Sequence, residues 1–579
     1  VAEAYYNNLL ERNNNIGARF FGEFTFMPGL TLKLTYGQDI QDSVSNRYEN
    51  AEIGDGAPTA RFRETRFRRV VENFSQVINY KKSLNDIHNF ALTIGHESFD
   101  RNFSNMSGFK NTQTATGIYE FDNFSVISDL SGYSSDKRSE GYFGRLNYDF
   151  NEKYFVSASA RRDGSSVFNQ AVRWGNFYSI GASWLIHKES FMDNVSFVDN
   201  LKLRASYGEV GNDSLGNYYI SQPLYALYSN AGAPALYWDK LGNNALTWET
   251  IESFDLALEF TLLNRFIDGT LEYYKKTSSD LLYNLPIAPS NGLKEKPDNV
   301  GSLYNSGLEL ELTAHLFDSQ DFSWDLSLQA STFKNEITEL PTPFTSGSKR
   351  WDVGRSVFDY YIYDWAGVDP ANGNSLYYMY EDNAEGDGRI PVLNAAGTQD
   401  TTNDYQEAGR AYTGDSSIPD FIGSIQNSLS YKNFSLNVLF TFSQGGKILD
   451  YGYSAMMHPG TYGRSIHTDA LNSWKAPGDI TSIPRLESGD PNQSVTSSSR
   501  YLTDASFISL RNLSLSYDLT DAIGKQLAID NLRLFVSGEN LYINSAREGL
   551  NPQYNLGGTP AGNNYNPART ISAGLNLTF

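Results

Sequence analysis

The chain has 579 residues, with 46 Lys and Arg against 67 Asp and Glu for a formal charge of −21, no cysteine, and 14% aromatic residues. The absence of cysteine excludes a thiol nucleophile, an iron–sulfur cluster, a cysteine zinc site and a disulfide framework, and the acidic balance argues against binding nucleic acid or an anionic membrane surface. Disordered chains are poor in aromatics, and this one is rich in them.

The first residues, Val1–Arg12, lack the basic stretch, apolar core and small-residue cleavage site of a signal peptide. No run of about 18 apolar residues predicts a transmembrane helix. Averages over a window are blind to one membrane class, the β-barrel, whose apolar and polar residues alternate and cancel.

That alternation recurs along the whole chain. Strands are expected at 17–27, 30–40, 66–80, 87–97, 141–150, 153–163, 174–187, 201–210, 249–261, 266–277, 306–316, 322–335, 421–431, 433–443, 506–519, 530–540 and 571–579. Leu308, Leu310, Leu312, Ala314 and Leu316 alternate with Glu309, Glu311, Thr313 and His315. Phe434, Leu436, Val438, Phe440 and Phe442 alternate with Ser435, Asn437 and Thr441. Near Leu510 to Leu513 the phase slips by one residue, which predicts a bulge. In the last nine residues Ile571, Ala573, Leu575, Leu577 and Phe579 share one face.

The connections are of two kinds. Met27-Pro28-Gly29, Asn151-Glu152, Leu263-Asn264-Arg265, 317–321 and Lys432-Asn433 are short, whereas 98–140, 211–248, 278–305, 336–420, 444–505 and 541–570 are long. Two others, 188–200 and 520–529, are of middle length and could hold a helical turn. Short turns at one end and long loops at the other is the outer-membrane pattern, with short turns periplasmic and long loops outside. The expected fold is therefore all-β, a large antiparallel transmembrane barrel with about 17 strands in this chain and residues 1–579 forming one barrel domain. Single-chain bacterial barrels have an even number of strands with both ends periplasmic, so an odd count predicts that an odd number of further strands precedes Val1.

A barrel wider than eight strands is not filled by its own side chains, and the inward faces here are polar. The outer loops carry Tyr218, Tyr219, Tyr225, Tyr228, Tyr237 and Trp238, and further on Tyr377, Tyr378 and Tyr380. Rings beside amides and carboxylates suit uncharged polar ligands such as sugars. They also serve simply to pack loops on one another, which is the more frequent role for any single residue.

Specific stretches resemble the SusC/RagA family of TonB-dependent transporters. They are Asp163-Gly164-Ser165-Ser166-Val167-Phe168 with Arg173-Trp174-Gly175-Asn176-Phe177, LKLRASYGEVGN at 201–212, Leu246-Thr247-Trp248-Glu249, YYKKTSSDL at 273–281, VSGENLY at 536–542 with Gly549-Leu550-Asn551-Pro552, and Pro567-Ala568-Arg569-Thr570. The matches run through the chain in the family's order. The resemblance implies a barrel of about 22 strands in the bacterial outer membrane, with a plug and a TonB-contacting segment upstream of this sequence. It also implies a SusD-like surface lipoprotein as a lid, for which the loops 336–420 and 444–505 are the expected contacts, and import of oligosaccharides or, in some members, peptides. Tyr218, Tyr219, Tyr237, Trp238, Tyr377, Tyr378 and Tyr380 are the candidate substrate-binding residues. Rival readings are a passive porin, a siderophore receptor sharing the mechanism, and a soluble glycan-binding β-protein.

Other constellations have plainer explanations. Asn383, Glu385 and Asp387 place oxygen ligands at alternate positions, as in the first half of a calcium loop, yet Asn394 stands where the twelfth-position carboxylate is wanted. A solvated acidic loop fits as well, and no cofactor is expected beyond that weak calcium candidate. Arg61, Arg63, Arg66, Arg68 and Arg69 interleave with Phe62 and Phe67 at the outer end of a strand, where they could meet lipopolysaccharide phosphates or line the mouth. The six histidines show no metal-ligand spacing, and no nucleophile elbow, phosphate loop or dinucleotide fingerprint occurs. Glu309 and Glu311 share a strand face and read as charges on a polar wall. Nothing points to an enzyme.

Overall fold

A computed structural model describes residues 3–383, 389–490, 493–494, 496–520, 529–553, 556–559 and 566–578. The chain divides into two units. The first takes in 1–184, 206–253 and 278–300, and the second 185–205, 254–277 and 301–579.

In the first unit seven strands pair antiparallel in chain order: β1 (Asn8–Met27), β2 (Leu30–Glu49), β3 (Arg61–Leu84), β4 (His88–Gln113), β5 (Phe124–Phe150), β6 (Tyr154–Ser165) and β7 (Trp174–Leu185). Because successive side chains point to opposite faces, each register row belongs to one face. Ile78, Ile94, Gly144, Ala160 and Tyr178 form one row, and Tyr80, Leu92, Leu146, Ala158 and Ile180 the next. Rings close this apolar band at both ends. Tyr142 and Trp174 lie 6.2 Å apart at the loop end, while Phe90–Tyr148 (4.8 Å), Phe150–Tyr154 (6.2 Å) and Tyr154–Trp184 (6.4 Å) line the turn end. From Tyr142 to Phe150 β5 runs about 27 Å at about 3.4 Å per residue, enough for a tilted strand to cross a band about 25 Å tall. The opposite face is polar, as in the row Thr35, Ser75, Glu97, Gly141 and Asp163.

Every expected strand of this unit is present, but β1 to β5 run beyond the expected bounds. The stretch 98–140, expected as a loop, is mostly strand: β4 continues to Gln113 and β5 begins at Phe124. Beyond the band both faces meet water, so the apolar alternation stops while the backbone ladder continues. A small aromatic core of Tyr48, Ala60, Phe62 and Phe124 ties the far tips together, with Phe62 and Phe124 stacked at 5.6 Å.

Three strands, β8 (Val198–Asn212), β9 (Glu249–Leu262) and β10 (Ile267–Ser279), contribute residues to both units. The middle-length turn 188–200 begins with the expected helical turns, of 3-10 type, at Ile186–Lys188 and Ser190–Met192. Within the long loop 211–248 a hairpin pairs Leu224–Asn230 with Ala233–Lys240, and within 278–305 another pairs Leu282–Pro286 with Glu295–Asn299.

The second unit contains β11 (Ser302–Asp318), β12 (Phe322–Ser331), β13 (Lys334–Glu339), β14 (Phe421–Tyr431), β15 (Phe434–Gln444), β16 (Phe507–Asp518), β17 (Asn531–Ser545) and β18 (Thr570–Thr578). The single strand expected at 322–335 is thus two, β12 and β13, both paired to β11. Leu312, Leu328, Ile425, Phe440 and Leu510 form an apolar row; one step away, Glu311, Gln329, Ser424, Thr441 and Ser509 form a polar one. At the turn end Phe322, Tyr431, Phe434 and Tyr517 share a row, with Phe434 and Tyr517 at 4.4 Å. The expected bulge is present, with the register shifting between Leu510 and Asn512. Facing rings and glycines lock the registers: a Cβ on Gly423 would stand 2.2 Å from the Gln329 carbonyl and 2.6 Å from the Phe442 ring. The connection 521–528, and Phe579 at the end of the last strand, lie outside the described residues.

Candidate functional site

The polar face of the second unit carries paired charges. Arg204 donates through Nε to Glu259 at 2.8 Å and through Nη2 to Glu272 at 2.5 Å, and Lys202 reaches Glu259 at 3.1 Å. Farther toward the turns His315 stands between Asp325 at 2.6 Å and Asp268 at 2.9 Å. Side chains of both signs, each satisfied by a neighbour, make a wall that stays wetted without leaving a strong single-sign field.

Above this wall the loops fold into a core of their own, with Tyr360, Ile362, Leu449, Met457, Ile483 and Tyr501 buried together. The expected long loops 336–420 and 444–505 are therefore packed structure. Tyr360 is its hub: its hydroxyl donates to the Lys447 carbonyl at 3.0 Å and the Gly558 carbonyl at 2.8 Å, and burial pushes the phenol well above its ordinary range. Lys349 lies beneath the same ring, its Nζ 3.1 Å from the ring centre, donating to the Phe358 carbonyl at 2.5 Å and to Ser417 at 3.2 Å; burial pushes this amine down to about 7. A buried ion pair clasps two loops: Asp450, 2% exposed, takes Nε and Nη2 of Arg547 at 3.0 and 2.5 Å and also caps the short helix Tyr451–Met456 by accepting from the Tyr453 amide.

Between these loops and the polar wall lies a cavity of about 890 Å³. Glu309, Glu311, Gln329, Ser424, Thr441 and Ser443 form its wall, Arg204 and Glu272 reach it from the side, and Ser417, Lys447, Pro552 and Gln553 close the loop side. The bulge after Leu510 delivers Arg511 into the same cavity, where it donates to Asn540. Re-aiming one side chain is what a bulge does. On the polar face of the first unit a smaller hollow of about 500 Å³ is lined by Arg19, Glu97, Lys137, Arg161 and Asp163.

The candidate aromatics fall in different places. Tyr218 stacks beneath Arg101 and Lys137, at 5.4 and 5.8 Å, and accepts from Arg101; the Tyr219 hydroxyl accepts from the Asp136 amide at 2.9 Å. Tyr377 is fully buried and donates to the Gln493 carbonyl at 2.6 Å, so its ring is closed to any ligand in this structure. Tyr378 is half-buried beside it, and Tyr380 donates to Asp364 at 2.9 Å with its phenol pushed up to about 12, chiefly by burial. Only Tyr237 and Trp238 are open, half exposed on the hairpin, where they pair with Tyr228 at 5.8 Å and Tyr225 at 6.2 Å. None of the seven lines the 890 Å³ cavity. The residues that do are charges and amides from strands far apart in sequence, which no local spacing reveals. Arg511 alone left a trace, in the slipped phase.

Of the calcium candidates, Glu385 and Asp387 lie outside the described residues, with Asn383 at their edge. Among the described residues no group of three or more His, Cys, Asp or Glu is placed to hold a metal ion. The five arginines of β3 are met locally: Arg66 by Glu64 at 2.6 Å, Arg61 by Glu49 at 3.7 Å, Arg68 by Asp42 at 4.0 Å, Arg69 by Gln41 at 2.5 Å, and Arg63 over the Phe109 ring at 4.4 Å.

Antiparallel strands with one apolar, ring-bordered face and one polar face, short turns at one end and packed loops at the other, define the wall of a membrane β-barrel. The model of the TonB dependent receptor-like β-barrel family matches residues 2–541, and the chain belongs to that family. It is similar to TonB-dependent receptor P3 of Formosa agariphila, 27% identical over 97% of this chain and 58% of that protein. It is also similar to TonB-dependent receptor SusC of Bacteroides thetaiotaomicron, 26% identical over 96% of this chain and 55% of that protein. The chain thus spans little more than half the length of these relatives. Among solved structures the RagAB peptide transporter shares the fold, with a TM-score of 0.90 and 24% identity over all of this chain and 63% of that one. The SusC/RagA resemblance read from the motifs holds.

Proposed function

We propose that this chain is the barrel of an outer-membrane importer that brings in a polar nutrient, an oligosaccharide in the first place, with energy delivered through TonB and with a SusD-like surface lipoprotein closing over its loops. The observation that carries the reading is the 890 Å³ cavity, which joins the packed loops to a polar wall continuous with the inner faces of β11, β12, β14 and β15. Hydroxyl and amide side chains of Gln329, Ser424, Thr441, Ser443 and Gln553 offer both donors and acceptors to sugar hydroxyls. A cavity of this size matches ordinary small-molecule sites. The organised loops give a lid a firm surface to meet. A passive porin needs no such roof.

A second reading, peptide import, has its own support. Arg204, Lys447 and Arg511 line the cavity together with Glu272, Glu309 and Glu311, charges of both signs suited to the two ends of a short peptide, and the RagAB transporter of similar fold is described as a peptide transporter. Titrating the purified full-length protein with a neutral hexasaccharide panel and with tetrapeptides of mixed sequence separates the two. Saccharide binding weakened about tenfold by Gln329→Ala with Gln553→Ala supports the first reading. Peptide binding lost on Arg511→Ala, with no saccharide binding, supports the second. Binding of neither, together with TonB-independent conductance, contradicts both.

A further inference from the structure

The apolar face of the first unit holds a polar hollow. Its volume is about 610 Å³, and it opens just beyond the Tyr142–Trp174 end of the apolar band, on the side opposite the Arg161-lined hollow. Residues of even number on β2 to β5 line it, namely Tyr36, Glu72, Phe74, Asp100, Arg138 and Glu140, and these positions lie on the face that carries Ile78, Ile94 and Leu146 lower down. It therefore faces the lipid side of the wall, at the level where a bilayer's headgroups meet an aromatic belt.

Its chemistry is specific. Tyr36, Phe74 and Trp174 each leave a little over a third of their surface exposed, giving apolar ring surface, with Arg162 over the Trp174 ring at 5.3 Å. Two carboxylates are fixed from behind by one oxygen each: Glu72 Oε1 accepts from Tyr36 Oη and Gln38 Nε2, both at 2.7 Å, and Glu140 Oε1 accepts from Tyr142 Oη at 2.6 Å and pairs with His96 at 3.1 Å. Among the described residues no hydrogen bond reaches the second oxygen of either, which can accept one from a ligand. Arg138 is neutralised by Asp100 at 2.7 Å, and Arg173 lines the rim. On the lining itself three carboxylates stand against two guanidiniums, one already paired, while the third nearby guanidinium, Arg162, is stacked over the Trp174 ring, a balance that disfavours a phosphate. Rings that stack on the C–H face of a hexose, beside oriented carboxylates that accept its hydroxyls, hold a neutral sugar.

We propose that this hollow binds a neutral hexose carried as the headgroup of a membrane lipid, with the acyl chains lying along the Ile78 and Ile94 rows. A free surface glycan offers the same sugar chemistry, but the position directly above the apolar band favours the tethered form. The test uses the full-length protein in phosphatidylcholine nanodiscs doped with monoglucosyldiacylglycerol or with phosphatidylglycerol, and reads lipid retained by native mass spectrometry. The glucosyl lipid should be retained at least tenfold over phosphatidylglycerol. Trp174→Ala and Glu140→Gln should each cut that retention about tenfold, while Asn147→Ala, on the polar face, leaves it unchanged. Unchanged gel mobility of the folded barrel guards against misfolded variants. Preference for phosphatidylglycerol, or equal retention by Trp174→Ala and the parent, overturns the proposal. Displacement of the lipid by millimolar maltotriose overturns the lipid source and reassigns the hollow to a free glycan.

Discussion

Removing Arg547 should loosen the loop roof without disturbing the strands below it. Asp450 is 2% exposed, and Arg547 is the side chain that balances its charge, with two nitrogens at 3.0 and 2.5 Å. Deleting one partner of a buried pair leaves the other charge uncompensated, which costs about 3–5 kcal/mol. Because Asp450 also caps the helix Tyr451–Met456, Asp450→Ala adds the loss of a cap, about 1 kcal/mol. At about 1.4 kcal/mol per tenfold, Arg547→Ala should raise the opening of segments 447–457 and 545–550 by roughly two to three and a half orders of magnitude. Hydrogen exchange followed by mass spectrometry on the detergent-purified protein reads those segments directly, with β14 and β15 as internal controls. Adding Asp450→Asn to Arg547→Ala should recover most of the protection, since the stranded charge is gone. Exchange raised less than about threefold by Arg547→Ala, or no recovery in the double variant, would refute the reasoning.

Three further outcomes are expected. Lys349 titrates near 7 in the folded loops against an ordinary 10.5, so the unfolded segment binds more protons between those values. Stability of the Lys349–Tyr360 region therefore rises with pH from about 7 to 10.5 and is lowest below 7, a span on the order of 4–5 kcal/mol; Lys349→Met should flatten the dependence of its exchange on pH and gain most at pH 6, and an unchanged slope would count against it. Val438→Arg, on the apolar face midway along β15, should cost about 2–4 kcal/mol in urea-driven unfolding from lipid vesicles, whereas Asn437→Arg on the polar face costs about 1 or less; equal costs would contradict the assignment of faces. Gly558 has φ +69°, and a Cβ there would fall 2.2 Å from the Tyr360 hydroxyl, so Gly558→Ala should break the clasp among Tyr360, Lys447 and Ser417 and show as increased proteolysis of the 541–570 loop, with resistance equal to the parent as the disproof.

The strands were legible because a bilayer imposes a strict period of two, and each of the stretches read from it forms a strand. Legibility ended where the bilayer ends. Beyond Arg138 the continuation of β5 to Phe124 has water on both sides, so residues such as Ser131, Ser134 and Ser135 carry no alternation although their backbone stays paired. The split of 322–335 falls at Thr332 and Phe333, where a polar residue takes an apolar position and a ring takes a polar one, a change of phase so short that it reads as an irregularity within one strand. Loop aromatics were visible as composition, but composition does not say which rings face inward: Tyr377 is buried in the loops and Trp238 stands open on a hairpin. The cavity draws Arg204, Glu311, Lys447, Arg511 and Gln553 from strands and loops hundreds of residues apart, and only the register of the sheet brings them together.

The central claim is that these strands present one face to lipid and the other to water, and the lack of any cysteine in the chain makes it directly measurable. Single cysteines placed in turn at 435 to 442 on β15 can be probed with a membrane-impermeant thiol reagent and, through an attached fluorophore, with a lipid-borne quencher. The account predicts strict alternation, with positions 435, 437, 439 and 441 labelled from water and positions 436, 438, 440 and 442 quenched from lipid. Uniform labelling along the strand, or quenching without a two-residue period, would contradict it.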